Sequence, residues 1–228
     1  MKTQLAGLAA ALVTVTAVVA TPASAARGEE DGSRLRDRCL HAVDRRLERL
    51  DRASERIRGA RHLTDAHRTM LTDQLTANAD SLTRLRGKIA SGSGDALKED
   101  CRSVAVDHRV YVLVLPRARL VAAGDVELAA VGKFVDVAKK LEAAIDKAAA
   151  AGRDMREERA DLASMRAYVD SARDGASGIA GSILDLTPAD WNGDHTVLDP
   201  ARKAAIDARL DLRSAHRLGR EIRQDLRR

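Results

Sequence analysis

The chain has 228 residues, 45% of them hydrophobic, and a formal net charge of +5 at pH 7; its aromatic residues are one Trp, two Tyr and one Phe. Carbohydrate platforms, base-stacking surfaces and cation cages are built from rings, so this scarcity counts against all three as the main activity. A 32% share of charged residues with only 4 Pro favours helix and counts against a β-sandwich, because Ala, Leu, Arg and Glu are strong helix formers.

Lys2, the uncharged apolar stretch from Leu5 to Ala20 and the small residues Ala23-Ser24-Ala25 read as a secretory signal peptide over residues 1–25. The alternative is an uncleaved membrane anchor, since the apolar stretch approaches spanning length. No other uncharged run of that length occurs, so no transmembrane span is expected after cleavage, and the mature chain would carry +4 after losing Lys2. Export also changes the reading of the two cysteines. In an oxidising compartment Cys39 and Cys101 are most simply one disulfide, the alternatives being two free thiols or, less simply, a metal site lacking the close ligand spacing zinc prefers.

Residues 26–32 (ARGEEDG) read as a short flexible leader. From Ser33, Leu40, Val43, Leu47, Leu50, Ser54 and Ile57 follow the 3,4 spacing of a helix packed lengthwise on others, ending at Gly59. Thr64 is the expected N-cap of a second helix whose seam is Leu71, Leu75, Asn78, Leu82, Leu85 and Ile89. Asn78 there is read as fixing register. Ser91-Gly-Ser-Gly94 is a turn and Asp95 an expected cap for a third helix. In this layout Cys39 and Cys101 each lie about six residues into their helices, at roughly 9 Å from the same end for a rise of ~1.5 Å per residue, so the thiols are placed to meet.

The run from Val110 to Pro116 (VYVLVLP) loses the period; we read it as a helix buried all round and bent or restarted at Pro116, a short strand being the alternative. Beyond it, Leu128, Val131, Val135, Ala138, Leu141, Ile145 and Ala148 lead to Gly152, and Met155, Leu162, Met165, Val169, Ala172, Ala176, Ile179 and Ile183 form the face of another helix. Gly175, Gly178 and Gly181 lack the strand and paired glycines of a phosphate loop and suggest close helix approach or a break. A last helix carries Leu198, Ala201, Ala205, Ala208, Leu212, Ala215, Gly219, Ile222 and Leu226 in its seam. The expected fold is all-α: an elongated antiparallel helical bundle of two consecutive three-helix units, 33–115 and 116–228, kinked near Pro116, with a single six-helix bundle as the alternative.

Two constellations bear on function. Asp190, Asn192 and Asp194 have the 1, 3, 5 oxygen spacing of a calcium loop, yet His195 stands where Gly is needed and Ala201 where the closing carboxylate belongs. Helix capping covers the same stretch: Thr187-Pro188-Ala189-Asp190 reads as N-cap, Pro and an acid at N3, and Asp199-Pro200 repeats the device. The second constellation is charge. Residues 32–61 and 201–228 each carry net +5, and 31 of the 39 basic residues are Arg, which suits bidentate contacts to phosphate or carboxylate. Arg45, Arg49, Arg52 and Arg56 in the first helix and Arg213, Arg217 and Arg220 in the last are the candidates for binding a polyanion, the plainer reading being a solvated face. The histidines are dispersed, with only His62 and His67 close together, and no Ser, Asp or His sits in a nucleophile motif. Nucleic acid is poorly supported for an exported chain without interleaved aromatics.

Three stretches, LTDAHRTMLTDQLTANADSLTRLRGKI at 63–89, VYVLVLPRARLVAAGD at 110–125 and LTPADWNGDHTVLDPARKAAIDARLDLRSA at 186–215, resemble a group of secreted, all-helical bacterial proteins of the actinobacterial type. The resemblance implies export and a helical fold, carries no catalytic residue with it, and places a Thr-Pro-Ala-Asp-aromatic-Asn pattern at 187–192 that favours capping over a calcium cage. The resulting expectation is a non-enzymatic secreted or envelope-associated spacer or interaction module. Its expected partner is an anionic cell-wall polymer or another envelope protein, with a calcium-responsive binder and, behind it, an extracellular hydrolase as alternatives.

Overall fold

The computed structural model describes residues 23–228; residues 1–22, which hold most of the expected signal peptide, lie outside the described residues. The chain forms α1 (Ala23–Gly59), α2 (Asp65–Ser91), α3 (Gly94–Val106), a π-helical turn (Val110–Val114), α4 (Leu115–Ala150), α5 (Arg156–Ile183), the short α6 (Pro188–Gly193) and α7 (Asp199–Asp225), with no strand among the described residues. It is an all-α helical bundle. Segment 26–32, expected as a flexible leader, is instead part of α1. Its Ala, Arg and Glu favour helix, Gly32 faces open space, and an i,i+4 ion pair joins Glu30 to Arg34.

α1 and α2 pack antiparallel, as the Arg86 to Asp44 ion pair at 2.7 Å and the Arg36 bond to the Gly92 carbonyl at 2.9 Å fix in register. The turn between them is held by one side chain. The Arg68 guanidinium donates to the carbonyls of Ile57 (2.8 Å), Arg58 (2.9 Å), Ala60 (2.9 Å) and Leu63 (3.0 Å), placing a cation on the open C-terminal carbonyls of α1. Arg68→Ala is expected to cost about 2 kcal/mol in chemical denaturation, since it strands carbonyls that a charged donor had satisfied. Arg68→Lys is expected to recover less than half of that loss, because an ammonium cannot span the fork; full recovery would show that charge alone matters. Thr64 caps α2 as expected, its hydroxyl accepting from the His67 N–H at 3.2 Å. Asn78, expected to set register in the seam, is half-buried and donates to the Gln74 carbonyl of its own helix at 2.8 Å.

The α2–α3 turn uses Gly94 at φ 58, a left-handed conformation that glycine adopts without strain. Asp95, expected as the cap of α3, is one of its first-turn residues and pairs with Lys98 at 2.9 Å, while Ser93 holds the cap position. α1 and α3 run parallel and are joined by the Cys39–Cys101 disulfide, Cα to Cα 5.5 Å.

The run at 110–116 departs from a helix buried all round. Arg109 takes a left-handed φ of 43, the next five residues form the wide π turn, and α4 starts at Leu115 with Pro116 in its first turn, where a missing N–H costs nothing. Val110, Leu113, Val114 and Leu115 are buried, but Tyr111 and Val112 are 44% and 37% exposed; with one more residue per turn, the six apolar side chains no longer all face inward. Arg46 covers the Tyr111 ring, 5.0 Å from its centroid. His108, before this turn, is buried. Burial, the larger cause, and Arg46 push its pKa below the ordinary 6.5 against the pull of Asp107. The folded chain therefore binds this proton less readily than the unfolded chain, so its stability is fully present above about pH 6.5 and falls as pH drops below that value. A melting midpoint that falls between pH 7.5 and 5.5, at about those values, and falls less in His108→Gln, is the expected result; identical slopes in the two proteins would refute it.

α4, α5 and α7 form the second bundle. α5 lies antiparallel to α4, where Arg166 meets Glu142 at 2.7 Å and Arg159 meets Asp146 at 3.0 Å, and also antiparallel to α7. Of the two readings of the α5 glycines, the break does not occur, since the helix is continuous, and close approach holds at Gly175, which lies against Ala204 and Ala208 of α7, while Gly178 and Gly181 face open space. Small residues let these helices approach closely. A Cβ at Gly219 would stand 3.3 Å from Met165 Sδ, and one at Gly124 would stand 3.2 Å from the Ala176 carbonyl oxygen.

The apolar interior divides in two, though not at Pro116. The first core takes in Ala118 and Val121 of α4, Ile179 and Ile183 of α5, and Ala201 and Ala205 of α7; the second begins at Val131 and ends at Ile222. Between them α4 presents two buried acids. Asp125, 4% exposed, accepts from the Thr64 N–H (2.8 Å) and from His67 Nδ1 (2.9 Å), and Glu127, 6% exposed, accepts from Arg209 Nε at 3.1 Å. This polar layer crosses the long helices where the two cores meet. His62 and His67, close together in sequence, thus differ in the fold: His62 is exposed, and His67 is the half-buried partner of a buried carboxylate.

Candidate functional site

α1 carries two charge stripes. Arg45, Arg49, Arg52 and Arg56 recur at 4,3,4 spacing, and so do Asp44, Glu48, Asp51 and Glu55, one position earlier and so about 100° round the helix. The acidic stripe lies on the α2 side, where Asp44 pairs with Arg86. All four arginines are exposed. Arg52 pairs with Glu48 of its own helix, whereas Arg45, Arg49 and Arg56 have no carboxylate within ion-pair distance among the described residues.

Below the second half of this stripe, α1 and the start of α4 enclose an open cleft of about 270 Å³. Its floor is apolar: Ala53 and Ile57 from α1, Ala60 just beyond its end, and Leu115, Ala118 and Ala122 from α4. Four of these six residues are alanines, whose short side chains leave the gap unfilled. Arg49 and Arg56 line one side and Arg119 of α4 the other. Arg119 is exposed and, like them, is without a carboxylate partner among the described residues. The contrast with a second cleft, about 210 Å³ between α4 and α5, is informative: its arginines are answered, Arg166 by Glu142 and Arg173 by Asp170.

The other basic candidates are not brought to the same place. Arg213, Arg217 and Arg220 are exposed along the second half of α7, without carboxylate partners among the described residues, on a helix that packs against α5 and α4 rather than α1. They form a second surface.

In the 187–199 stretch each calcium candidate already has local bonds. Asp190 closes a capping box: its Oδ2 accepts from the Thr187 N–H and hydroxyl at 2.7 Å, and those bonds hold its carboxyl below the ordinary range. Asn192 Oδ1 accepts from Arg109 Nε at 2.6 Å while its Nδ2 donates to the Val106 carbonyl at 3.2 Å, fastening α6 to the end of α3. Asp194 Oδ1 accepts from the Thr196 hydroxyl (2.6 Å) and N–H (2.8 Å), bonds that lower its pKa. Asp199, expected as a cap, is the first residue of α7 and pairs with Arg202 at 2.6 Å, with Leu198 at the cap position. Trp191 packs on the first core with His195 beside it, ring centroids 5.5 Å apart. Among the described residues no group of three or more His, Cys, Asp or Glu side chains is placed to hold a metal ion.

Arg119 and the alanine floor were not singled out by sequence, although the paired 4,3,4 stripes of α1 are legible there. Compared with protein-family models, curated proteins and solved structures, the chain matches none.

Proposed function

We propose that this protein is an exported, non-enzymatic helical module that binds an anionic polymer of the cell envelope through the arginine face of α1. The observation that carries this reading is that Arg45, Arg49 and Arg56 stand without carboxylate partners among the described residues while acids of the same helix form a separate stripe about 100° round it. Guanidinium groups left free in a row can each take a phosphate or carboxylate in a fork, and their field steers a polyanion to that face. The Arg213, Arg217 and Arg220 surface on α7 offers a second contact for a long polymer. Export is supported by the signal-peptide pattern at 1–25 and by the disulfide, which fits an oxidising compartment. No helix of the described residues is long and apolar enough to cross a membrane.

Incubating the mature chain with purified cell-wall material tests the reading. It should be retained at low ionic strength and released by salt, because exposed charges more than ~10 Å apart are screened at 0.1 M; passage through the material at low ionic strength would reject it. N-terminal sequencing of the protein recovered from the envelope or medium should begin at Ala26.

A further inference from the structure

From the cleft between α1 and α4 we infer a more specific ligand, resting on the reading above: an anionic amphiphile, whose alkyl chain lies on the alanine floor and whose phosphate or carboxylate head is held by Arg49, Arg56 and Arg119. Three features at one place carry this. The floor is apolar yet open to solvent, and Ala118 and Ala122 stop short where a longer side chain would close the gap. Three arginines from two helices line that same opening. None has a carboxylate partner among the described residues, unlike the arginines of the α4–α5 cleft. A purely polar polyanion would satisfy the guanidinium groups and leave the floor wet; a neutral lipid would cover the floor and leave the guanidinium groups unanswered. Only a ligand with both parts complements the site.

Isothermal titration of the full mature chain with alkyl phosphates from butyl to decyl, kept below their micelle concentrations, separates these cases. Affinity should rise about fourfold for each added methylene that reaches the floor and level off once the cleft is filled. Ala122→Leu, which places bulk on the floor without touching an arginine, should abolish the chain-length dependence; Ala53→Leu does the same from the opposite wall, so the test survives if one variant misfolds. A combined Arg49→Gln, Arg56→Gln, Arg119→Gln variant should weaken every alkyl phosphate at least tenfold. The amphiphile assignment is overturned if decyl phosphate binds no tighter than butyl phosphate, or if a folded Ala122→Leu or Ala53→Leu chain keeps the full dependence. Retention of these alanine variants on cell-wall material reads the polymer function separately: it should persist when the cleft is filled, and its loss together with alkyl binding would contradict the assignment of two distinct parts to the site.

Discussion

Asp125→Ala is expected to lower the unfolding free energy by about 3 kcal/mol, measured by urea denaturation near neutral pH. The carboxylate sits between the two cores and holds the first turn of α2 to α4 by accepting from the Thr64 N–H and His67 Nδ1. Removing it leaves the part-buried Thr64 N–H without its carboxylate and opens a gap at the layer where the cores join. Asp125→Asn should cost less, since its amide oxygen still accepts from Thr64, whereas His67→Ala should cost less again because that ring is 25% exposed and water can replace it. A loss below about 1 kcal/mol for Asp125→Ala would mean that the layer contributes no more than an ordinary surface bond.

Removing the Cys39–Cys101 bond is expected to cost ~4 kcal/mol, because the bond closes a loop of about 60 residues and takes that freedom from the unfolded chain. The large effect suits a bundle whose first core is built from aliphatic side chains, without a Phe or Tyr among its fully buried members. A Cys39→Ser, Cys101→Ser chain should melt well below the parent, and the parent should fall to nearly the same midpoint under reducing conditions. Coincident melts for the oxidised and reduced parent would refute this.

How much of this was legible depended on whether the determinant is periodic. The α2 seam of Leu71, Leu75, Leu82, Leu85 and Ile89 is buried as its spacing implies, and the α5 face from Leu162 to Ile183 likewise. The disulfide followed from the export signal and the even cysteine pair, with the helix lengths placing both thiols at one height. The capping box at Thr187 and Asp190 was legible because it is a three-residue rule. Asp125 was not, because nothing in its neighbourhood marks it and its partners lie 58 and 61 residues away. The π turn was missed because an apolar run reads as burial on every side, while one extra residue per turn sends Tyr111 and Val112 outward. The expected caps Asp95 and Asp199 lie two positions and one position too late for the backbone, which places Ser93 and Leu198 there instead. Of the binding face, the arginine spacing was legible and the cleft was not: four alanines are unremarkable in a chain this rich in them until two helices leave a gap above them.

The most direct measurement is retention on purified cell-wall material across a salt series, comparing the mature chain with two triple variants. Arg45→Gln, Arg49→Gln, Arg56→Gln should lose most retention at low ionic strength and flatten the salt dependence, while Arg213→Gln, Arg217→Gln, Arg220→Gln should keep most of both. A parent that is not retained, or an α1 variant retained as well as the parent, would contradict the assignment of polyanion binding to this face.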